Sequence, residues 1–208
     1  MGQKLVGSAL HFRLSRDRAF LDGVTPALLE YVDEIERRLA VGGADLLERE
    51  RYSSDIPDSV YGLHGQAVVW QGLRWLGQAW AETGRRDLAT RCLALAARLE
   101  RGLRNAVRRS QVRLPDGSLF LPTRLLDREQ PYSRLTASRP GSYWNLVAPY
   151  ALASGLFARE SPEARGGWRY LQLHGSRDRR RGGTARGPGA RLLHAPSMAR
   201  PREEHRRA

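Results

Sequence analysis

Residues 58–83, DSVYGLHGQAVVWQGLRWLGQAWAET, decide the fold of this chain. Val60, Leu63, Ala67, Val69, Trp70, Leu73, Leu76 and Trp80 recur at helical spacing, and Val68, Trp75 and Ala79 make the remaining faces apolar as well. A helix that is hydrophobic nearly all round is buried on most sides, so this one is expected to be central. Its polar interior positions are Gln66, Gln71, Arg74 and Gln78, and Gly84 ends it.

The flanking segments differ. Over 86–109, Leu88, Cys92, Leu95, Ala96, Leu99, Leu103 and Val107 form one stripe, and Arg86, Arg91, Arg98, Arg101, Arg104 and Arg108 take the other positions. That pattern predicts an outer helix with one solvated face. Upstream, residues 25–41 form another amphipathic segment, with Thr25 as N-cap, Pro26 at the first helical position, and Gly42 and Gly43 as the stop. Residues 1–24 are then a lead-in.

Downstream, VRLPDGSLFLP (112–122) places Pro-Asp-Gly between short apolar runs, which predicts a small β-hairpin. After an irregular stretch, Ser142 is expected to cap a second mostly apolar helix, SYWNLVAPYALASGLF, which Pro149 should kink or leave with one unpaired carbonyl. Residues 163–174 begin a further helix. Buried and amphipathic helices therefore alternate. The expected class is all-α: an incomplete α/α toroid of about two and a half helical hairpins with a small β-hairpin insertion, spanning residues 25–176.

From residue 177 the character changes. The last segment is rich in Arg, Gly and Pro and has almost no apolar periodicity, so it is expected to be a disordered tail. The break falls inside a helix that has hardly begun, which points to a shifted reading frame; a genuine basic tail is the alternative.

Composition narrows the function classes. The 208 residues are 41% hydrophobic and 27% charged, and no stretch reaches the roughly 20 apolar residues of a membrane span. The first twelve residues lack a signal-peptide core, and Val6 stands where a myristoylation motif wants Ser or Thr. The net charge of +13 invites a nucleic-acid reading. However, Lys4 is the only lysine, a skew that fits GC-rich codons better than a tuned phosphate surface. The tail alone sets ten arginines against Asp178, Glu203 and Glu204, a net of +7 that leaves +6 for residues 1–176. Nucleic acid is accordingly not the favoured partner. Cys92, the one cysteine, forms no internal disulfide and reads as a small core residue. No zinc-type motif, nucleophile elbow or nucleotide-binding glycine loop occurs, so neither a metal nor a cofactor is expected.

Residues 52–84 (YSSDIPDSVYGLHGQAVVWQGLRWLGQAWAETG) and 138–157 (SRPGSYWNLVAPYALASGLF) resemble a bacterial group with the six-hairpin glycosidase-like toroid. The similarity covers roughly residues 20–176 and corresponds to the middle to later part of longer proteins. It implies a carbohydrate-processing role, with sugars bound in a cleft at one rim, and a chain that is inactive alone as a fragment. Carried onto this chain, that rim holds Tyr52, Asp55, Asp58, Tyr61 and His64 at the start of one inner helix and Tyr143, Trp144 and Asn145 at the start of the other. Aromatic rings stack on sugars, and Asp55 and Asp58 are the carboxylates available for acid–base work. At a helix start, Asp58 would be held ionised, suiting a general base. The same residues also suit simpler roles: Asp55 and Asp58 as helix caps, Tyr61, Tyr143 and Trp144 as packing, and His64 as a core histidine. Two other functions stay open, a non-catalytic glycan- or partner-binding module and nucleic-acid binding through the tail.

Overall fold

A computed structural model describes residues 1–54 and 56–175. Asp55 and the tail, with its suspected frame shift, lie outside the described residues. The described residues are mostly helical, with short antiparallel strands: α1 (Gly2–Ser15), α2 (Arg18–Val41), β1 (Glu50–Arg51), β2 (Ser59–Gly62), α3 (Leu63–Glu82), α4 (Arg86–Ser110), β3 (Val112–Arg113), β4 (Leu119–Phe120), β5 (Arg124–Leu125), α5 (Arg139–Ala153) and α6 (Pro162–His174).

The all-round apolar segment is the central helix. α3 packs against α1 and α4 and also touches α5. Its Leu63, Ala67, Trp70, Leu73, Leu76 and Trp80 are buried. Small residues let α1 come close: a Cβ on Gly72 would stand 2.7 Å from the Leu5 Cβ, and one on Gly2 would stand 2.8 Å from the Val69 nitrogen. On α4 the buried residues include Cys92, Leu95, Ala96, Leu99, Leu103 and Val107, the stripe read from the sequence.

The arginines opposite that stripe are not simply solvated. Arg91 pairs with Asp33 (2.7 Å) and Glu36 of α2, and Arg98 reaches Asp45 (2.7 Å) in the loop after α2. They tie α4 to the α2 region. Each such half-exposed pair is worth at most about 1 kcal/mol.

Residues 1–24 are not an irregular lead-in. They form α1 and the first turns of α2. Asp17, not Thr25, caps α2, accepting from the Phe20 N–H at 2.9 Å. Thr25 is buried in mid-helix; its hydroxyl donates to the Leu21 carbonyl (2.7 Å) and accepts from the Trp80 Nε1–H (3.3 Å). The Thr-Pro pair mimics a helix start, but the apolar stripe runs on through Leu21, and back-bonding satisfies the hydroxyl without ending the helix.

Two other helix starts also move. α3 begins at Leu63 rather than at residue 58, because Ser59–Gly62 is drawn into a three-stranded antiparallel sheet, order β1-β2-β5, through Glu50↔Val60 and Tyr61↔Leu125. α5 is capped by Ser138, whose Oγ accepts from the Gly141 N–H at 3.2 Å; Ser142 lies one turn inside and donates to the Ser138 carbonyl. Pro149 remains within α5, which continues to Ala153. The hairpin forms as expected, with Val112↔Phe120 and Arg113↔Leu119. α6 starts at Ser161–Pro162, where Ser161 accepts from the Ala164 N–H at 3.2 Å.

A second, smaller core joins the hairpin to α5 and α6. Phe120, Leu135, Trp144, Ala148 and Tyr170 are buried together, with the Trp144 ring 5.8 Å from Phe120 and 5.0 Å from Tyr170. Among the described residues no helix is long and apolar enough to cross a membrane.

Candidate functional site

The pairing of β1 with β2 brings Glu50 beside the first turn of α3. The helix start is fixed there by the Leu63 N–H, which donates to the Thr123 carbonyl at 2.9 Å. The carboxyl lies against that turn: a Cβ on Gly65 would stand 2.6 Å from Glu50 Oε1. A methyl group on Gly62 would lie 3.6 Å from Glu50 Oε1 and 3.8 Å from His64 Nδ1, so carboxyl and imidazole border the same spot.

Both groups line a cleft of about 430 Å³ formed by the start of α1, the first turns of α3, the segment 47–50 and α5. Arg38 and Glu48 occupy another part of the wall, and Val68, Val69 and Val147 supply apolar surface. Tyr150, 63% exposed, stands at its edge.

The electrostatics are uneven. Arg38 is engaged by Glu34 (2.7 Å) and Glu48 (3.4 Å). The Glu50 carboxyl has no hydrogen bond or ion pair among the described residues. Although the residue as a whole is exposed, protein packed around its carboxyl pushes the pKa up, against weaker opposing pulls from Arg38 and the terminal amine. His64 Nδ1 is buried without a hydrogen-bond partner, and burial lowers the imidazole pKa. One cleft thus holds a carboxyl biased toward its protonated form and an imidazole biased toward its neutral form.

Of the residues singled out from sequence, Tyr52, His64 and Tyr143 are brought together. The Tyr52 ring lies 6.2 Å from His64 and 5.9 Å from Tyr143. Tyr52 is 8% exposed, and its hydroxyl is 2.7 Å from that of Thr123, so it supports His64 from below and offers no open ring face. The others are dispersed. Asp58 lies ahead of β2, exposed and 3.6 Å from Arg124; since it does not begin a helix, the dipole argument for an ionised base does not apply to it. Tyr61 donates to the Gly42 carbonyl at 2.7 Å, under the Arg49 guanidinium at 4.9 Å. Trp144 is fully buried, and its Nε1–H donates to the Leu121 carbonyl at 2.7 Å. Asn145 is half-buried near Gly175. Asp55 lies outside the described residues.

Two acidic residues escaped the sequence reading. Glu50 belongs to a charged run with no periodicity to mark it. Glu129, whose side chain is 1% exposed, accepts from the Arg124 N–H (2.9 Å) and the Tyr132 hydroxyl (2.7 Å), with the Thr123 hydroxyl 3.3 Å away. It sits in an irregular stretch whose polarity looks like that of a surface loop. Sealed from solvent, it organises the loop. Among the described residues no group of three His, Cys, Asp or Glu is placed to hold a metal ion.

Comparison with protein families, curated proteins and solved structures finds no match to this chain.

Proposed function

We propose that this chain is part of a carbohydrate-processing, glycoside hydrolase-like protein, that its helices are about two and a half hairpins of an α/α toroid, and that its sugar site is the Glu50–His64 cleft. One observation carries the reading: an unpaired carboxyl with a raised pKa shares a cleft with a neutral imidazole. A protonated Glu50 suits donation to a glycosidic or hydroxyl oxygen. The second carboxyl lining the cleft is Glu48, held by Arg37 and Arg38, and glycoside hydrolysis needs two. Tyr150 provides an exposed ring for stacking at the edge. Under this reading the functional acid is Glu50 rather than Asp58.

A non-catalytic glycan-binding module is the second reading. It is favoured by the exposed Tyr150 and Leu146 beside a cleft whose second carboxylate is already occupied by arginine. Saturation-transfer NMR on the 208-residue chain with a panel of neutral oligosaccharides tests both. Binding should fall at least tenfold in Tyr150→Ala and in Glu50→Gln, with no turnover by this chain alone. If no oligosaccharide binds, or if both variants bind like the parent, the sugar reading fails. Turnover by the chain itself that Glu50→Gln abolishes would decide for the enzyme and against the inactive fragment.

A further inference from the structure

His174, the last residue of α6, is placed between two hydrogen-bond acceptors. Its Nδ1 lies 3.2 Å from the Ser133 carbonyl oxygen, and its Nε2 lies 3.0 Å from Asp116 Oδ2, in the turn between β3 and β4. The ring stacks on Tyr170 at 4.4 Å, which fixes its plane. A carbonyl oxygen only accepts, so Nδ1 must carry a hydrogen. Asp116 is held ionised, its pKa lowered to about 2 chiefly by Ser118, whose N–H donates to its Oδ1 at 2.8 Å, and further by His174, so its oxygen also only accepts. Neutral imidazole has one N–H and cannot serve both partners; the imidazolium serves both.

We propose that His174 is a pH-sensitive latch that fastens the end of α6 to the β3–β4 turn and to the 131–134 segment. Three separate pieces of chain meet at this one ring. Among the described residues, four charged or titratable groups are placed around it. Asp116 faces it from the turn, and Arg169, on α6, donates from Nε to the Asp116 carbonyl at 3.0 Å. Tyr170 lies beneath it, with its hydroxyl donating to the Tyr132 carbonyl and accepting from the Tyr132 N–H, and Glu129 acts on Tyr170 from the far side. Arg169 and the Tyr170–Tyr132 pair stay in place as His174 titrates. Only the charge-assisted bond to Asp116 is lost, and a proton-free Nε2 would then face a carboxylate. The latch is closed when His174 is protonated and open when it is neutral.

The test is hydrogen exchange on the full 208-residue chain across pH 5 to 8, corrected for intrinsic rates. Amides of the last turn of α6 and of residues 116–118 should exchange roughly tenfold faster on the alkaline side, the scale of losing one charge-assisted hydrogen bond. His174→Gln should remove the step. Asp116→Asn should remove or invert it, because a side-chain amide can donate to neutral Nε2 while still accepting from the Ser118 N–H. Imidazole nitrogen shifts read the proton positions directly. A step in the parent that Asp116→Asn leaves unchanged overturns the latch. A single neutral His174 tautomer throughout the range does so as well.

Discussion

The hydroxyls of Tyr52 and Thr123 lie 2.7 Å apart although 71 residues separate them in the chain. The Thr123 hydroxyl also donates to the Glu129 carboxyl at 3.3 Å. The threonine hydrogen therefore points to Glu129, and Tyr52 donates to Thr123. The chain of hydrogen bonds runs one way, from the tyrosine beside His64 to a buried acid. It joins the β1–β2 side of the molecule to the loop that carries α5. The same packing pushes the Tyr52 phenol up to about 12, chiefly by burial, so it stays a donor at any ordinary pH.

Glu129→Gln places an amide NH₂ where donors already point. At a side chain this buried, the mismatch should cost about 2 kcal/mol, the scale of an unsatisfied buried polar group. Thr123→Val should cost about 1 kcal/mol by stranding the Tyr52 hydroxyl. Urea denaturation of the two single variants and the double variant measures both. Non-additive losses are expected, because the residues share one network.

Gly72 and Gly65 should respond in opposite ways to a methyl group. At Gly72 the new Cβ meets the Leu5 Cβ at 2.7 Å and the Gly2 carbonyl at 3.0 Å, so α1 as a whole must move. Gly72→Ala should destabilise the fold by about 1–3 kcal/mol. At Gly65 the obstacle is the free end of Glu50, which can rotate away. Gly65→Ala should leave thermal stability nearly unchanged and weaken any ligand held by Glu50. Equal losses of stability at the two sites would refute this picture of the cleft.

The cleft also sets a pH signature. For Glu50 the folded pKa lies above the unfolded one, so below both values the group contributes nothing. As pH rises past the ordinary carboxyl range, the unfolded chain releases its proton first and the fold loses stability. Glu50→Gln should therefore be neutral near pH 3 and stabilising at pH 7. His64 runs the other way. Its folded pKa is depressed, so its cost grows as pH falls below the ordinary imidazole range. His64→Gln should stabilise near pH 5 relative to pH 8. Melting temperatures of the two variants against the parent at three pH values check both signs.

What could be read from sequence follows the range of the forces involved. The α4 stripe and the α3 burial pattern are carried by residues one helical turn apart, and both appear at the expected positions. The hairpin is equally local, fixed by its Pro-Asp-Gly turn. The misplaced elements depend on distant partners. Asp58 looks like a helix cap until β1 and β5, one of them more than 60 residues downstream, recruit Ser59–Gly62 as a strand. Thr25-Pro26 looks like a helix start until Trp80 claims the threonine hydroxyl from α3. The cleft depends on the same non-local strand pairing, which delivers Glu50 to His64, so no periodicity announces it. Trp144 shows the converse: an aromatic at the head of an apolar helix suits either a sugar platform or packing, and the hairpin supplies Leu121 and Phe120 to bury it.

Cys92 offers a test of the core that needs no substitution. It is fully buried on the inner face of α4, and burial pushes its thiol pKa up to about 12. Only the thiolate reacts appreciably with alkylating agents, and at pH 8 its fraction would be about 10⁻⁴, before steric exclusion is counted. Iodoacetamide at pH 8 should leave the native chain unlabelled over hours and label it within minutes in urea. The urea concentration at which labelling begins should match the midpoint seen by circular dichroism, because exposing Cys92 requires α4 to leave the core. Labelling well below that midpoint would mean that α4 detaches separately, and the α2–α4 ion pairs around Arg91 would then be too weak to hold the helix against the core.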